Sequence, residues 1–274
     1  MKAAAVDYVR PKTLGEALAL LGRGDGEVRV MAGGQSLVAM MNLRLANPGL
    51  LIDIARLPEL LAVDEDAASV MLGACVTHAA IEDGAVPDPS NGLMPRVAAT
   101  LAYRAVRTRG TLGGSLALAD PAAEWPAVLA ALDAEAIVDG PGGRRTVACA
   151  GFVTGIYETR LAAGEMLRGI RIPRLSARAR WGYVKLARKS GEFALSVAAV
   201  VVDPDRGVAR AVLGAAGDAP LMLDAVSRCC ATAGVDAAVL DAAIAADLAG
   251  HGFDEFEQGL HAASLRRAAR QALA

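Results

Sequence analysis

Residues 28–41, VRVMAGGQSLVAMM, decide the fold of the first part of the chain, because they predict a strand, a glycine turn and a helix in succession. Val28–Met31 alternate between apolar and polar side chains, as a half-buried strand does. From Leu37 onward, apolar residues recur at helical spacing. Residues 50–54, LLIDI, then indicate a short buried strand. We therefore expect residues 1–57 to form a small α/β lobe.

The pattern changes after residue 57, where short strands alternate with helices and loops. Two strand-like segments, 136–138 and 145–148, flank the turn sequence DGPGG at 139–143, which indicates a hairpin. Further elements are predicted as strands at 69–73 and 166–172 and as helices at 77–83, 93–106 and 122–132. We expect residues 58–175 to form a second lobe.

A third unit is indicated after residues 173–180, a short basic segment that is typical of a linker. The predicted strands are 181–186, 194–202 and 208–214, and the predicted helices that follow them are 223–233, 237–248 and 255–273. Strands followed by helices are typical of α+β domains. We expect residues 178–274 to form a C-terminal α+β domain with a three-stranded sheet.

Composition excludes several classes of function. The 274 residues include 28 Lys and Arg against 30 Asp and Glu, so no excess of positive charge favours nucleic acid or an anionic membrane as a partner. No apolar run is long enough for a transmembrane helix, and no secretory signal is present. Four cysteines without a CxxC pair and three scattered histidines favour no metal site. We expect a cytoplasmic protein that provides no metal ligands.

Two glycine turns are the candidates for ligand binding: AGGQS at 32–36 and TLGGS at 111–115. Paired glycines let the backbone approach a ligand closely, and consecutive exposed N–H groups form a concavity that binds anions. A single such pair usually makes only a tight turn, but two together could hold a pyrophosphate from two sides. Neither turn matches the phosphate-binding motif with its lysine or the GxGxxG fingerprint.

The combination of motifs resembles the FAD-binding medium subunit of molybdenum hydroxylases, the family of carbon monoxide dehydrogenase medium subunits and xanthine dehydrogenase FAD domains. The resemblance rests on five blocks in the same order, AGGQS at 32–36, RGTLGGS at 109–115, ADPAAEWPAVLAAL at 119–132, RIP at 171–173 and KLARKSGEFALSVAA at 185–199. It implies an α+β fold in which a two-lobed FAD-binding domain of the p-cresol methylhydroxylase type precedes the C-terminal domain.

The resemblance also implies which residues bind FAD. The pyrophosphate and neighbouring groups would be cradled by two segments: Arg29, Val30, Met31, Ala32, Gly33, Gly34, Gln35 and Ser36, and then Gly110, Thr111, Gly113, Gly114 and Ser115. Similar proteins often have His where this chain has Gln35. The glutamine side chain keeps the capacity to form hydrogen bonds, but it cannot form a covalent link to the flavin. If the two turns bind the cofactor, Gly33→Val or Gly114→Val is expected to abolish FAD binding by filling space that the pyrophosphate needs.

By the same resemblance, the remaining cofactor contacts lie around the flavin and the sugar hydroxyls. Thr77 would hydrogen-bond near the flavin, Asp120 or Glu124 would hold the ribityl or ribose hydroxyls, Leu167 would pack on the cofactor, and Lys185 and Phe193 would lie near the isoalloxazine. Phe193 could equally be ordinary core, and His78 is interpreted as a polar residue at a helix start. No catalytic residue is assigned.

A positive charge at Lys185 has a physical rationale that is independent of the resemblance. Reduced flavin carries added negative charge, and a nearby cation stabilises it and raises its potential. Lys185→Ala should therefore lower the flavin potential and leave FAD bound. The alternative is a solvated lysine on a strand.

The resemblance implies an electron-transfer subunit of a heteromeric dehydrogenase. A large molybdopterin-binding subunit would oxidise the substrate, a small subunit would carry two [2Fe–2S] clusters, and FAD in this chain would pass electrons to an external acceptor such as NAD or a quinone. Two alternatives stay open: a stand-alone flavin oxidase of the same fold, and a non-catalytic assembly protein that has lost FAD.

Overall fold

The computed structural model describes residues 2–23, 28–232 and 234–274. Its first sheet is parallel and has the strand order β1-β3-β2, with the strand pairs Val9–Ile52 and Val30–Ile52 in register. The elements of this part are β1 (Asp7–Val9), α1 (Leu14–Leu21), β2 (Val28–Met31), α2 (Leu37–Asn42) and β3 (Leu50–Asp53). The predicted strand–turn–helix–strand order is confirmed, and the three-residue β1 is an addition that the sequence did not indicate.

The second sheet is antiparallel and has the strand order β4-β5-β10-β6-β7. Its part of the chain contains α3 (Pro58–Leu61), β4 (Val63–Glu65), β5 (Ser69–Gly73), α4 (His78–Glu82), α5 (Leu93–Thr100), α6 (Arg104–Arg107), α7 (Leu112–Leu118), α8 (Glu124–Ala131), β6 (Glu135–Gly140), β7 (Gly143–Ala148), β8 (Val153–Gly155), β9 (Glu158–Thr159) and β10 (Met166–Pro173). The β6–β7 hairpin lies where the glycine-rich turn predicts it, and β8 and β9 form a separate two-stranded sheet.

The prediction of a single helix over 93–106 is wrong, because the helix is interrupted between α5 and α6. Ala102 has a φ of 39°, in the left-handed region. The carbonyl groups around it leave the helical pattern and accept hydrogen bonds from side chains. Arg107 donates to the carbonyls of Leu101 and Ala102 at 2.9 and 3.2 Å, and Lys185 donates to that of Thr100 at 3.2 Å.

The third sheet has the strand order β11-β12-β13-β14, in which a two-residue strand joins the three predicted ones. Its elements are β11 (Arg180–Leu186), β12 (Ser196–Asp203), β13 (Val208–Gly214), β14 (Leu221–Met222), α9 (Asp224–Cys230), α10 (Ala237–Leu248) and α11 (Glu255–Leu273). The last two helices have the predicted bounds. The helix predicted over 223–233 ends at Cys230, and Ala233 lies outside the described residues.

The core of the molecule is continuous between the second and third sheets. All eight residues of α8 are buried, and the helix packs on β12 and β13 on one side and within the second part of the chain on the other. Val197, Ala199 and Val212 from the third sheet belong to the same apolar cluster as Trp125 and Leu129. The opposite face of the third sheet packs against α9, α10 and α11 in a cluster of its own.

Candidate functional site

A cleft of about 940 Å³ is lined by residues from all three parts of the fold. It brings together every predicted site residue except Thr77: Arg29, Val30, Met31, Ala32, Gly33, Gly34, Gln35, Ser36, Gly110, Thr111, Gly113, Gly114, Ser115, Asp120, Glu124, Leu167, Lys185 and Phe193. Residues far apart in sequence therefore converge on one space.

The two glycine turns pack directly against one another. A Cβ atom on Gly33 would lie 1.9 Å from the carbonyl oxygen of Arg109 and 3.0 Å from the Cα atom of Gly110. Arg109 Nε also donates a 3.4 Å hydrogen bond to the carbonyl oxygen of Gly33. Glycine is required at position 33 because the other turn fills the space that a side chain would take.

The second turn is fixed to the end of β5 and the start of α4. The N–H of Leu112 donates to the carbonyl of Val76 at 3.0 Å, and the N–H of His78 donates to the carbonyl of Gly110 at 2.9 Å. Gly113 approaches Ala74 so closely that a Cβ atom there would lie 2.5 Å from the Ala74 Cβ. These contacts hold the backbone of the second turn in one position.

Backbone donors of the first turn are available to a ligand. In the described part of the chain, no group accepts a hydrogen bond from the N–H groups of Gly33, Gly34, Gln35 or Ser36. Consecutive N–H groups of this kind form a concavity that suits an anion. This arrangement fits the pyrophosphate of FAD, which is the anion that the resemblance implies.

Glu124 and Lys185 form a buried ion pair in the cleft. Lys185 Nζ lies 2.5 Å from Glu124 Oε1, and the two side chains are only 8% and 9% exposed. Burial raises the pKa of Glu124, while the charge of Lys185 and its hydrogen bond act in the opposite direction. Because the partner carboxylate compensates its charge, Lys185 is neither a solvated lysine nor a free cation.

Several other cleft residues have protein partners or exposed surfaces. Asp120 accepts a hydrogen bond from the N–H of Ala122 at 2.9 Å and another from the hydroxyl of Tyr157 at 3.3 Å. Leu167 is buried, on a β10 segment with an irregular register. Phe193 is 69% exposed, so the interpretation of this ring as ordinary core is wrong.

Thr77 is the predicted site residue that the cleft does not include. It is the N-cap of α4, and its side chain accepts a hydrogen bond from the N–H of Ala80 at 3.1 Å. Its backbone forms an isolated bridge with Thr111, which explains its place beside the second glycine turn. The role that its own contacts support is positioning this turn.

His78 is a cleft residue whose burial the sequence did not indicate. It is 7% exposed, its ring packs against Gly110, and its Nδ1 atom accepts a 3.2 Å hydrogen bond from Trp125 Nε1. Burial lowers the pKa of His78 to about 4, and the nearby Arg107 charge acts in the same direction. The imidazole is therefore neutral at physiological pH, and it links α4, α8 and the second turn.

Tyr103 was also missed as part of the cleft. Its ring is 66% exposed, and a Cβ atom on Gly191 would lie 3.0 Å from the ring edge, so the loop before Phe193 packs against it. Its position depends on the break after α5, a tertiary feature with no signal in the local sequence.

Within residues 2–23, 28–232 and 234–274, no helix is both long and apolar enough to cross a membrane. Over the same part of the chain, no group of three or more His, Cys, Asp or Glu side chains is arranged to hold a metal ion.

Comparison with known proteins identifies the family. The model of the FAD-binding domain in molybdopterin dehydrogenase matches residues 4–175. The carbon monoxide dehydrogenase medium chain of Hydrogenophaga pseudoflava is 39% identical over 196 residues, which cover 72% of this chain and 68% of that one. The caffeine dehydrogenase subunit beta of Pseudomonas sp. strain CBB1 is 36% identical over 232 residues, which cover 83% and 79%.

The fold agrees with a solved structure of the same kind. Carbon monoxide dehydrogenase from Hydrogenophaga pseudoflava, in a form that lacks the Mo-pyranopterin moiety of the molybdenum cofactor, matches with a TM-score of 0.93 and 33% identity, over 99% of this chain and 98% of that one. The expected α+β architecture of a two-lobed FAD-binding domain with a C-terminal domain is thereby confirmed. This chain belongs to the family of FAD-binding subunits of molybdopterin dehydrogenases.

Proposed function

We propose that this chain holds FAD in the cleft and passes electrons from the [2Fe–2S] clusters of a partner subunit to an external acceptor. The observation that carries the proposal is the packing of two glycine turns that line one cleft, where the N–H groups from Gly33 to Ser36 have no acceptor among the described residues. Because the chain belongs to a family of FAD-binding domains, FAD is the ligand that we assign to this cleft.

Bound FAD supplies reversible redox chemistry. The chain's own residues bind and orient it. Gly33–Ser36 would donate backbone hydrogen bonds to pyrophosphate oxygens, and Glu124 or Asp120 would accept hydrogen bonds from sugar or ribityl hydroxyls. Buried Leu167 provides an apolar wall that excludes water. The exposed rings of Tyr103 and Phe193 form the part of the lining that an external acceptor reaches.

Lys185 is proposed to lie near the isoalloxazine, but its effect differs from that of an isolated lysine. Its ammonium group donates to Glu124 and to the carbonyl of Thr100, so it is held in one position. The pair is neutral overall when both groups are ionised. Its influence on the flavin potential therefore depends on the charge of Glu124 as much as on Lys185.

The partners are proposed from the relatives, which are medium subunits or chains of multi-subunit dehydrogenases. A large molybdopterin-binding subunit would select and oxidise the substrate, and a small subunit with two [2Fe–2S] clusters would deliver electrons to this chain. NAD or a quinone would accept them, and the assembly would act in the cytoplasm.

The domain division is also a proposal. We divide the chain into a FAD-binding domain at 1–175, with lobes at about 1–57 and 58–175, and a C-terminal domain at 178–274. The separate hydrogen bonding of the first, second and third sheets supports these limits.

The test is the visible absorbance spectrum of the purified native assembly, with its subunits resolved by mass. We expect flavin absorbance, one FAD per chain, and co-purifying large and small subunits. A flavin-loaded chain that is isolated alone and oxidises organic substrates would instead favour the oxidase alternative. A colourless chain would favour the assembly protein.

A further inference from the structure

We propose that Glu124 takes up a proton when the bound flavin is reduced. The inference rests on the proposed function and concerns residues of this chain only. It assigns the buried ion pair a redox-linked proton site in addition to cofactor binding.

The first support is the geometry of the pair. Glu124 and Lys185 line the cleft, and among the described residues theirs is the only ion pair in which both side chains are less than a tenth exposed. A charge in such a place is weakly screened, so added negative charge in the cleft acts strongly on it. A carboxylate can relieve the added charge by binding a proton, and an ammonium group that is already protonated cannot.

The second support is the set of groups that face Glu124. Lys185 stabilises the carboxylate, while burial and the charge of Asp120 raise the pKa of Glu124. Tyr183 hydrogen-bonds Thr100 through its hydroxyl, and burial together with the Glu124 charge raises the pKa of this phenol, so it stays neutral. Arg96 acts on Tyr183 in the opposite direction. Of these groups, Glu124 is the one with a buried carboxylate that can bind a proton, and burial raises its pKa.

The balance of the step is simple. Bound flavin would gain two electrons from a reductant, which is the partner's clusters in the assembly and dithionite in a titration, together with one proton of its own, so the cleft would gain one unit of negative charge. One proton from solvent forms an O–H bond at the Glu124 carboxylate, and no bond to Lys185 breaks. The pair changes from neutral to a net charge of +1, which compensates one unit of the negative charge that the cleft has gained.

The experiment is a potentiometric titration of the flavin in the native assembly at several pH values, for the wild type and for Glu124→Gln. One extra proton for each two electrons makes reduction ten times less favourable for each pH unit, which is about 30 mV per pH unit. We expect the wild-type potential to fall with pH more steeply than that of Glu124→Gln by up to this amount. Equal slopes would overturn the inference.

A matched control is Glu165→Gln. Glu165 also lines the cleft, but its hydrogen bond with Arg145 lowers its pKa to about 2, so it is ionised throughout the titration. Its replacement removes a cleft charge without removing a proton site, and we expect the wild-type slope. A slope as shallow as that of Glu124→Gln would show a general charge effect and overturn the assignment.

A second measurement covers the case in which Glu124→Gln loses FAD. Redox-triggered infrared difference spectra of the wild-type assembly should show the carbonyl stretch of a newly protonated carboxyl group on reduction, shifted in deuterium oxide. The lack of this band would overturn the inference while flavin binding upholds the proposed function. An assembly without flavin would overturn both.

Discussion

Gly33→Ala tests how the two glycine turns depend on each other. The added Cβ atom would lie 1.9 Å from the Arg109 carbonyl oxygen, whereas ordinary contact begins at 3.4 Å, so the turns must separate by about 1.5 Å. The obstacle is backbone and cannot rotate away. Overpacking of a fitted site costs about 1–3 kcal/mol, and we expect the upper end of this range.

The assay compares urea unfolding of the FAD-stripped assembly with the FAD affinity of the same variant. We expect Gly33→Ala to lower the unfolding midpoint even without FAD, and to weaken FAD binding because the N–H groups at 33–36 move. The control is Gly142→Ala, where the new Cβ has nothing within 4 Å. It measures the effect of replacing glycine itself, which acts largely through the unfolded chain.

The result that would refute this reasoning is a FAD-stripped Gly33→Ala protein as stable as Gly142→Ala. A loss of FAD binding alone would then mean that the added atom occupies cofactor space, as the sequence predicts for Gly33→Val. Gly114→Ala should be milder, since its Cβ would meet a side-chain atom, Thr111 Oγ1 at 2.6 Å, and moving that atom costs the N-cap hydrogen bond that it accepts from the N–H of Gly114, about 0.5–2 kcal/mol.

Three further outcomes are expected. Lys185→Met should destabilise the protein by about 3–5 kcal/mol in urea unfolding, because the Glu124 carboxylate loses its buried partner. Adding Glu124→Leu to this variant should recover most of the lost stability. A double variant as unstable as Lys185→Met alone would contradict the pairing. Because the pKa of His78 is lowered to about 4 from 6.5, the unfolded chain binds more protons than the folded one between these pH values. The free energy of unfolding should therefore fall by about 3 kcal/mol as the pH drops from 6.5 to 4. His78→Gln should reduce this pH dependence, and a variant with the wild-type profile would exclude His78 as its cause. Burial raises the pKa of the Cys75 thiol to about 12, so iodoacetamide at pH 8 should modify the half-buried Cys229 before it modifies Cys75. Peptide mapping measures the order of labelling, and early labelling of Cys75 would contradict its burial in the folded protein.

The elements that the sequence predicted best are those whose ends are determined locally. The start of α11 follows from Asp254 and Glu257, whose side chains each accept a hydrogen bond from the backbone of the other. The start of α10 follows from Asp236, whose side chain accepts a hydrogen bond from the N–H of Ala238. By contrast, the break after α5 depends on side chains from Arg107 and Lys185, and the apolar spacing of 93–106 gives no sign of these contacts.

The sequence predicted the glycine turns of the candidate site, but it did not predict the partners of the charged side chains there. The two glycine turns are visible as motifs in the sequence, and all of their residues except Leu112 line the cleft. The contact of Gly33 with Arg109 and the pairing of Glu124 with Lys185 join segments that are distant along the chain. Local sequence carries no information on such partners, so the neutralised lysine and the neutral His78 required the tertiary structure.

The burial of α8 on every side limits how this protein can be divided or recombined. The family match ends at residue 175, yet α8 lies well inside that segment and is covered by β12 and β13 from beyond it. A truncated version that stops at the match would lack Val197, Ala199 and Val212, and the face of α8 that packs on β12 and β13 would be exposed to water. Exchange of modules between relatives should therefore carry residues 1–274 as one piece, since β12 and β13 share one core with α8 and another with α9, α10 and α11.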